Sequence, residues 1–478
     1  MIYFAGVRRR NLIIYLARGL RADALGIGGR WPLSTDYLDG LASRGVVTGV
    51  VSASVTDEAA RRSVLTGLSP RQHGRLTALG AAESAEALGD SWAHRLAESG
   101  YRVAGVGCVG SLAGAMSESE VVADTHLVRA EGCAYYAACR RSGLLAALMA
   151  QRKQAGRAGL VEPDRLMLSP PDDVDGFIAR RAASMLERMP ENEPWALVVG
   201  FSGPGNDLPP PTLYEGVVPW EELSEGVETL NHDALRAVGG PSVPRSLLER
   251  LTREQVARVR ADYLGRVSLI DYAVKRVDGL AAERPDGARV WSVLAGDRGY
   301  ALSEQGLVGD GVLTSSVATT GMIVAGPRGF RPADGAAESA RDGLVSSVDV
   351  GATIAGLGVT EEVAGATGRS LVDALRGRPL QPRRAVVCEG IDRLAVDTGR
   401  HRLILRREDA TPLAMYDLLN DAAQRQDLLS ESASKTTRRW ATAMVEPIKA
   451  RLAEMLIREV ARPDIAARSG AGAATSSV

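Results

Sequence analysis

The chain has 478 residues, a net charge of −1 and 24% charged side chains. That length holds one large α/β unit with an appended subdomain, or up to about three average domains. The balanced charge gives no electrostatic reason to expect nucleic acid or an anionic membrane as partner.

No apolar run approaches the roughly 20 residues of a membrane span. The opening MIYFAGVRRRNLIIYLARGL is interrupted by basic residues and no small-residue cleavage site follows it, so we expect a first strand and a cytoplasmic protein. Cys108, Cys133, Cys139 and Cys388 have neither metal-knuckle spacing nor the look of a disulfide framework, and are expected as buried thiols.

In chain order, Asn11 to Ala17 is a continuous apolar run of strand length, the mark of a strand buried on both faces. Ser34 to Gly45 has helical spacing at Tyr37, Leu38, Leu41 and Ala42, and Val46 to Ser54 reads as a strand. Ser91 to Gly100 is a helix with a glycine stop, feeding a strand from Tyr101 to Gly107. Between Leu112 and Pro171 only a helix near Tyr136 to Ala155 stands out. Asp172 to Met189 predicts a helix with an acidic start, and Trp195 to Phe201 a strand.

Leu208 to Pro244, rich in proline and acidic residues, predicts a long surface excursion. Thr252 to Leu280 opens with a Thr-x-x-Gln capping box and keeps an apolar stripe, predicting the longest helix. Arg289 to Ala295 and Gly321 to Ala325 are two more buried strands, and Asp349 to Leu357 a helix. From Arg384 onward the texture changes to short alternating strands, Ala385 to Glu389, Leu394 to Asp397, Arg402 to Leu405 and Leu413 to Tyr416, which suggests a small antiparallel sheet. A helix is expected over Thr436 to Val460, and a disordered Gly/Ala/Ser tail from Ala466.

The most informative stretch is Ser54 to Gly74, SVTDEAARRSVLTGLSPRQHG. Thr66-Gly67 closes the amphipathic run Ala59 to Leu65, and a helix N-terminus packed under a loop in this way faces an anion. The stretch resembles the signature of the sulfatase family of the alkaline phosphatase superfamily: Cys or Ser, then x-Pro-x-Arg, four residues and Thr-Gly. In that register Arg61 takes the arginine, Ala59 the proline, and Asp57 the residue that the family converts to formylglycine.

The resemblance extends over most of Asn11 to Leu429. Thr252 to Leu280 is similar to the family's YYASVSLIDDQVGRLLDAL helix, Asp349 to Leu357 to DLAPTLLDL, and HRLILR…MYDLLNDAAQRQDL to the ending YKLI…LYDLEADPGERNNL. It implies an alkaline-phosphatase/sulfatase-like large mixed sheet flanked by helices in residues 1–378. A small C-terminal antiparallel sheet with a helix would follow in 379–465, and the tail in 466–478. Composition alone says only α/β.

The same resemblance implies a site at the C-terminal ends of the strands, and this chain departs from it almost everywhere. The metal-binding Asp-Asp after the first strand is Arg18-Gly19, the sulfate-holding lysine is Cys108, and the Pro-His after Phe201 is Pro204-Gly205. The segment SDHGEMLGEHGLWGKG aligns with Gly296 to Gly311, keeping Asp297 but placing Arg298, Gln305 and Asp310 at the positions of the next ligand, the later histidine and the lysine. Only Arg61 and Asp297 survive, with Asp57 a candidate replacement.

Two carboxylates have become Arg18 and Gly19, and a third ligand Arg298, beside the remaining acids Asp57, Asp297 and Asp310. Arg18 and Arg298 are therefore expected to replace the cation through ion pairs to Asp57 and Asp297. No cofactor is expected on this reading, which is a catalytically inactive pseudo-sulfatase kept as a binding or assembly subunit. Its partner would be an active sulfatase paralogue, or a sulfated or phosphorylated ligand gripped by Arg18, Arg61 and Arg298. The alternative is an active sulfuric- or phosphoric-ester hydrolase with a rebuilt site. It would hold a divalent cation such as calcium on Asp57 and Asp297, with Asp23 and Asp36 the nearest spare carboxylates. The dispersed histidines His94, His126, His232 and His401 have no metal-ligand spacing, and His73 is expected to pack or cap.

Overall fold

The computed structural model describes residues 9–76, 90–122, 133–150, 166, 168–205, 208–240, 248–380 and 382–460. Its central sheet has the strand order β2-β9-β6-β1-β5-β3-β4. These are β1 (Asn11–Arg18), β2 (Gly45–Val51), β3 (Arg102–Gly107), β4 (Glu118–Val121), β5 (Trp195–Pro204), β6 (Val290–Gly296) and β9 (Thr319–Ala325). The two-residue strands β7 (Ala301–Leu302) and β8 (Val308–Gly309) form a separate small hairpin. From β6 across to β4 all neighbours are parallel, and β9 runs antiparallel to both β6 and β2.

Strand β1 is buried along its whole length, and its alternation divides the core in two. Ile13 and Tyr15 face the helices Val174–Glu187 and Arg253–Glu283, in a layer with Phe177, Leu264 and Ile270. Leu12, Ile14 and Leu16 face the opposite layer, built from Val64, Trp92, Leu96 and Ile354 of the helices Asp57–Thr66, Trp92–Glu98 and Asp349–Gly358. Thr252 and Gln255 form the expected capping box of the long helix.

A four-stranded antiparallel meander follows: β10 (Val386–Glu389), β11 (Arg393–Asp397), β12 (His401–Arg406) and β13 (Pro412–Asp417). The helix Lys435–Val460 covers one face, packing Ala441, Val445 and Ile448 on Leu394, Leu403 and Met415. The architecture is thus the large mixed sheet flanked by helices, with a small antiparallel sheet, that the sequence resemblance implied.

Some boundaries differ from the sequence reading. β2 stops at Val51 rather than Ser54, because the next backbone groups pair with the small sheet: the Glu389 amide donates to Ala53 O at 2.9 Å and the Val55 amide to Glu389 O at 3.2 Å. The segment expected as one helix over Tyr136 to Ala155 is Ala134–Arg141, then a break at Gly143 with φ 76° and a helical turn over 145–150; its remainder lies outside the described residues. The excursion from Leu208 is structured by the short helices Trp220–Leu223 and His232–Val238. His126 and the tail from Ala466 lie outside the described residues. All four cysteines are buried thiols. Among the described residues, no helix is long and apolar enough to cross a membrane.

Candidate functional site

Parallel strands deliver their C-terminal ends to one edge, where open α/β sheets place ligands. Register fixes which residues meet there: Arg18 stands beside Pro204 on β5, Ala17 beside Gly296 on β6, and Gly107 of β3 beside Gly200 of β5. Arg18-Gly19, Cys108, Gly205 and Asp297-Arg298 therefore share an edge. Asp57 joins them as the first residue of the helix Asp57–Thr66, where a carboxylate complements the helix dipole.

A compact charge centre results. The Arg18 Nε donates to Asp57 Oδ1 at 3.0 Å, and its Nη2 pairs with Oδ2 of the same carboxylate. Arg298 Nη2 reaches that carboxylate too, and also Asp310. Its Nη1 meets Asp297 Oδ2 at 3.2 Å and its Nε meets Asp310 Oδ2 at 2.9 Å. Arg298 is 0% exposed and Arg18 3%, whereas Asp57 keeps 31% of its side chain in solvent. Asp297 Oδ1 also accepts the Gly19 and Arg298 amides at 3.0 and 2.7 Å.

The expected pairing is therefore present in a different division of labour. Arg18 pairs with Asp57, while Arg298 spans Asp57, Asp297 and Asp310. Without the guanidinium groups the converging carboxylates would repel by ~4 kcal/mol for each pair about 4 Å apart at intermediate dielectric.

A calcium-like divalent cation needs about six to eight oxygen ligands. The acidic oxygens here accept from guanidinium and backbone N–H groups instead. Among the described residues, no group of three or more His, Cys, Asp or Glu side chains is placed to hold a metal ion. The residues present do not fit the ion.

Backbone fills part of the same edge. Gly19, at φ 68°, lies against Gly205, so that a Cβ on Gly19 would stand 2.9 Å from Gly205 Cα. A Cβ on Gly205 would meet the Tyr300 ring at 2.8 Å. Tyr300 stacks on Tyr263 with centroids 5.9 Å apart, and the Tyr263 hydroxyl donates to Gly19 O at 2.7 Å while accepting from the Arg21 amide at 3.0 Å. Neither tyrosine was singled out from the sequence, because each lies within an ordinary apolar pattern.

The other predicted positions are placed as follows. Arg61 is buried on the helix that Asp57 opens, and Cys108 is buried with its amide donating to Gly200 O at 2.8 Å. Gln305 sits in the β7–β8 turn, its amide donating to Glu228 and its side-chain Nε2 to Gln424 O. Asp23 belongs to a separate cluster with Arg21 and Arg30, at 2.7 and 3.1 Å, and Asp36 accepts from Ser34. His73 caps the motif: its Nδ1 accepts the Arg75 amide at 3.2 Å, which leaves the Nε2 proton for Ser63 Oγ, also at 3.2 Å. Burial, with Arg62 and Arg75 nearby, pushes the His73 pKa down to about 4.

No protein-family model matches the sequence, and no curated protein does. Solved structures match it over nearly the whole chain. The phosphonate monoester hydrolase SpPMH from Silicibacter pomeroyi is 17% identical with a TM-score of 0.72, covering 95% of this chain and 96% of that one. BT1596, a 2-O GAG sulfatase, is 17% identical with a TM-score of 0.67 over 95% and 93%. BT4656, solved with its substrate D-glucosamine-2-N,6-O-disulfate, is 14% identical with a TM-score of 0.67 over 94% and 99%. The chain has a sulfatase-like fold, in common with this 2-O GAG sulfatase and this phosphonate monoester hydrolase. At these identities the likeness is one of fold.

Proposed function

We propose that this chain is a catalytically inactive pseudo-sulfatase that serves as a binding or assembly subunit. The observation that carries the reading is the convergence of Arg18 and Arg298 on Asp57. In the family register Asp57 stands at the nucleophile, and Arg18 and Arg298 stand at metal ligands. A carboxylate cannot become a formylglycine hydrate, and guanidinium groups repel the cation that would polarise an ester. Losing a single member of a catalytic unit costs orders of magnitude in rate; here every member but Arg61 and Asp297 is replaced.

The partner would be an active sulfatase paralogue or a sulfated or phosphorylated ligand. Because Arg18 and Arg298 already face carboxylates of their own chain, the reading favours the protein partner. The direct test is hydrolysis of an aryl sulfate and of a phenylphosphonate monoester, each with calcium, magnesium, manganese or zinc. The proposal expects no turnover above the uncatalysed rate. Turnover that disappears in Asp57→Asn would establish an active, rebuilt site instead. Titration with D-glucosamine-2-N,6-O-disulfate separately reports whether the edge binds a sulfated sugar.

A further inference from the structure

The helices Val174–Glu187 and Arg253–Glu283 run in the same direction. Arg266 of the long helix holds Asp173 and Asp175 at the start of the shorter one, and Arg284, just past the long helix, donates to Leu186 O and Met189 O at the end of the shorter one. An open groove of about 490 Å³ lies between them. Parallel packing orders its rim along the helices: Tyr272 first, then Arg180, Lys275 and Arg276, and last Glu187 and Glu283. One end of the groove is basic and the other acidic. These five charged side chains are exposed, and among the described residues none forms a salt bridge with another side chain.

Between the two ends the floor is shallow, made by Ala183 on one helix and Gly279 on the other. A Cβ at Gly279 would meet nothing within 4 Å among the described residues, so none of those neighbours requires glycine there. Glycine inside a helix nonetheless costs about 1 kcal/mol relative to alanine. A close approach from outside the chain would account for it.

We propose that this face binds a second copy of the chain about a two-fold axis passing near Gly279. A two-fold across parallel helices sets the basic end of each groove against the acidic end of the other, which makes the charge pattern self-complementary. The small residues fall at the axis, where the two surfaces come closest. Tyr272, 47% exposed, packs beside Tyr214 at 6.4 Å, and with the exposed Leu213 it adds an apolar shoulder. That shoulder widens the face toward the roughly 800 Å² per partner of a stable interface. The long helix touches the charge centre through its other half, at Tyr263, so pairing here leaves the Asp57 edge open. The inference holds whether or not that edge is catalytic.

Sedimentation equilibrium on the full chain and two charge-reversed variants tests this. Lys275→Glu/Arg276→Glu makes both ends acidic, and Glu187→Lys/Glu283→Lys makes both ends basic; circular dichroism checks that each folds. The expected result is a dimer for the natural chain and association weakened on the order of a hundredfold, toward monomer, in each variant, as like charges now face each other. Mixing the two variants should restore a dimer of one copy of each. A monomeric natural chain, a dimer that survives both reversals, or a mixture that stays monomeric would overturn the proposal.

Discussion

Gly19 at the end of β1 and Gly205 at the end of β5 meet backbone to backbone, with room for neither side chain. The sequence resemblance puts a metal-binding aspartate at the first position and a histidine at the second. Neither strand end leaves space where such a side chain would project.

Restoring the aspartate should fail for that reason. Gly19→Asp places a side chain at φ 68°, where an L-residue costs about 1–2 kcal/mol, and adds a Cβ contact of 2.9 Å with backbone. We expect a loss of at least ~2 kcal/mol in urea denaturation and no gain in calcium affinity. An unchanged denaturation midpoint would mean the strand ends part easily, contrary to this packing.

Arg266 should be the buried residue whose loss costs most beyond the site. It pairs with Asp173 at 2.8 Å and Asp175 at 3.0 Å, and donates to the carbonyls of Leu208 and Pro209. Burial, partly offset by Arg266 and reinforced by Asp173, raises the Asp175 pKa to about 6. Arg266→Met leaves two buried carboxylates without their cation, at a cost of about 3–5 kcal/mol. Hydrogen exchange should then show faster opening of residues 208–240 than in the natural protein. Unchanged protection there would show that the excursion is anchored elsewhere.

His73 should make the protein acid-sensitive. Its folded pKa of about 4 lies below the unfolded value of 6.5, so the unfolded chain takes up the proton first. Stability from the neutral ring is present above pH 6.5 and is lost as pH falls toward 4. The loss should be on the order of 2 kcal/mol between pH 7 and pH 4.5, and His73→Gln should lack it. Parallel urea-denaturation curves for the two proteins across this range would contradict the assignment.

Much of this was legible in the sequence because it depends on local pattern. The run at Asn11, the capping box at Thr252 and Gln255, and the alternation after Arg384 each specify an element through spacing alone. The motif register also brought Arg18, Asp57, Asp297 and Arg298 to one place. Spacing could not show that Arg298 spans three carboxylates, since the position of Asp310 depends on the path of the β7–β8 hairpin. Nor could it show that Glu389 of the small sheet takes the backbone hydrogen bonds of the loop before Asp57. Contacts between distant segments leave no periodic trace.

The central claim is that a guanidinium stands where a cation would be, and Arg298→Met tests it most directly. The substitution leaves Asp57, Asp297 and Asp310 without the cation they share. Melting temperatures of the natural protein and this variant, measured with and without calcium, give the answer, since a ligand bound only to the folded state must raise the transition. The account predicts no bound metal and no shift in the natural protein. It predicts a variant that is less stable by about 3 kcal/mol without ion and melts higher with calcium. A stoichiometric metal or a calcium-dependent rise in the natural protein, or a variant indifferent to calcium, would contradict it.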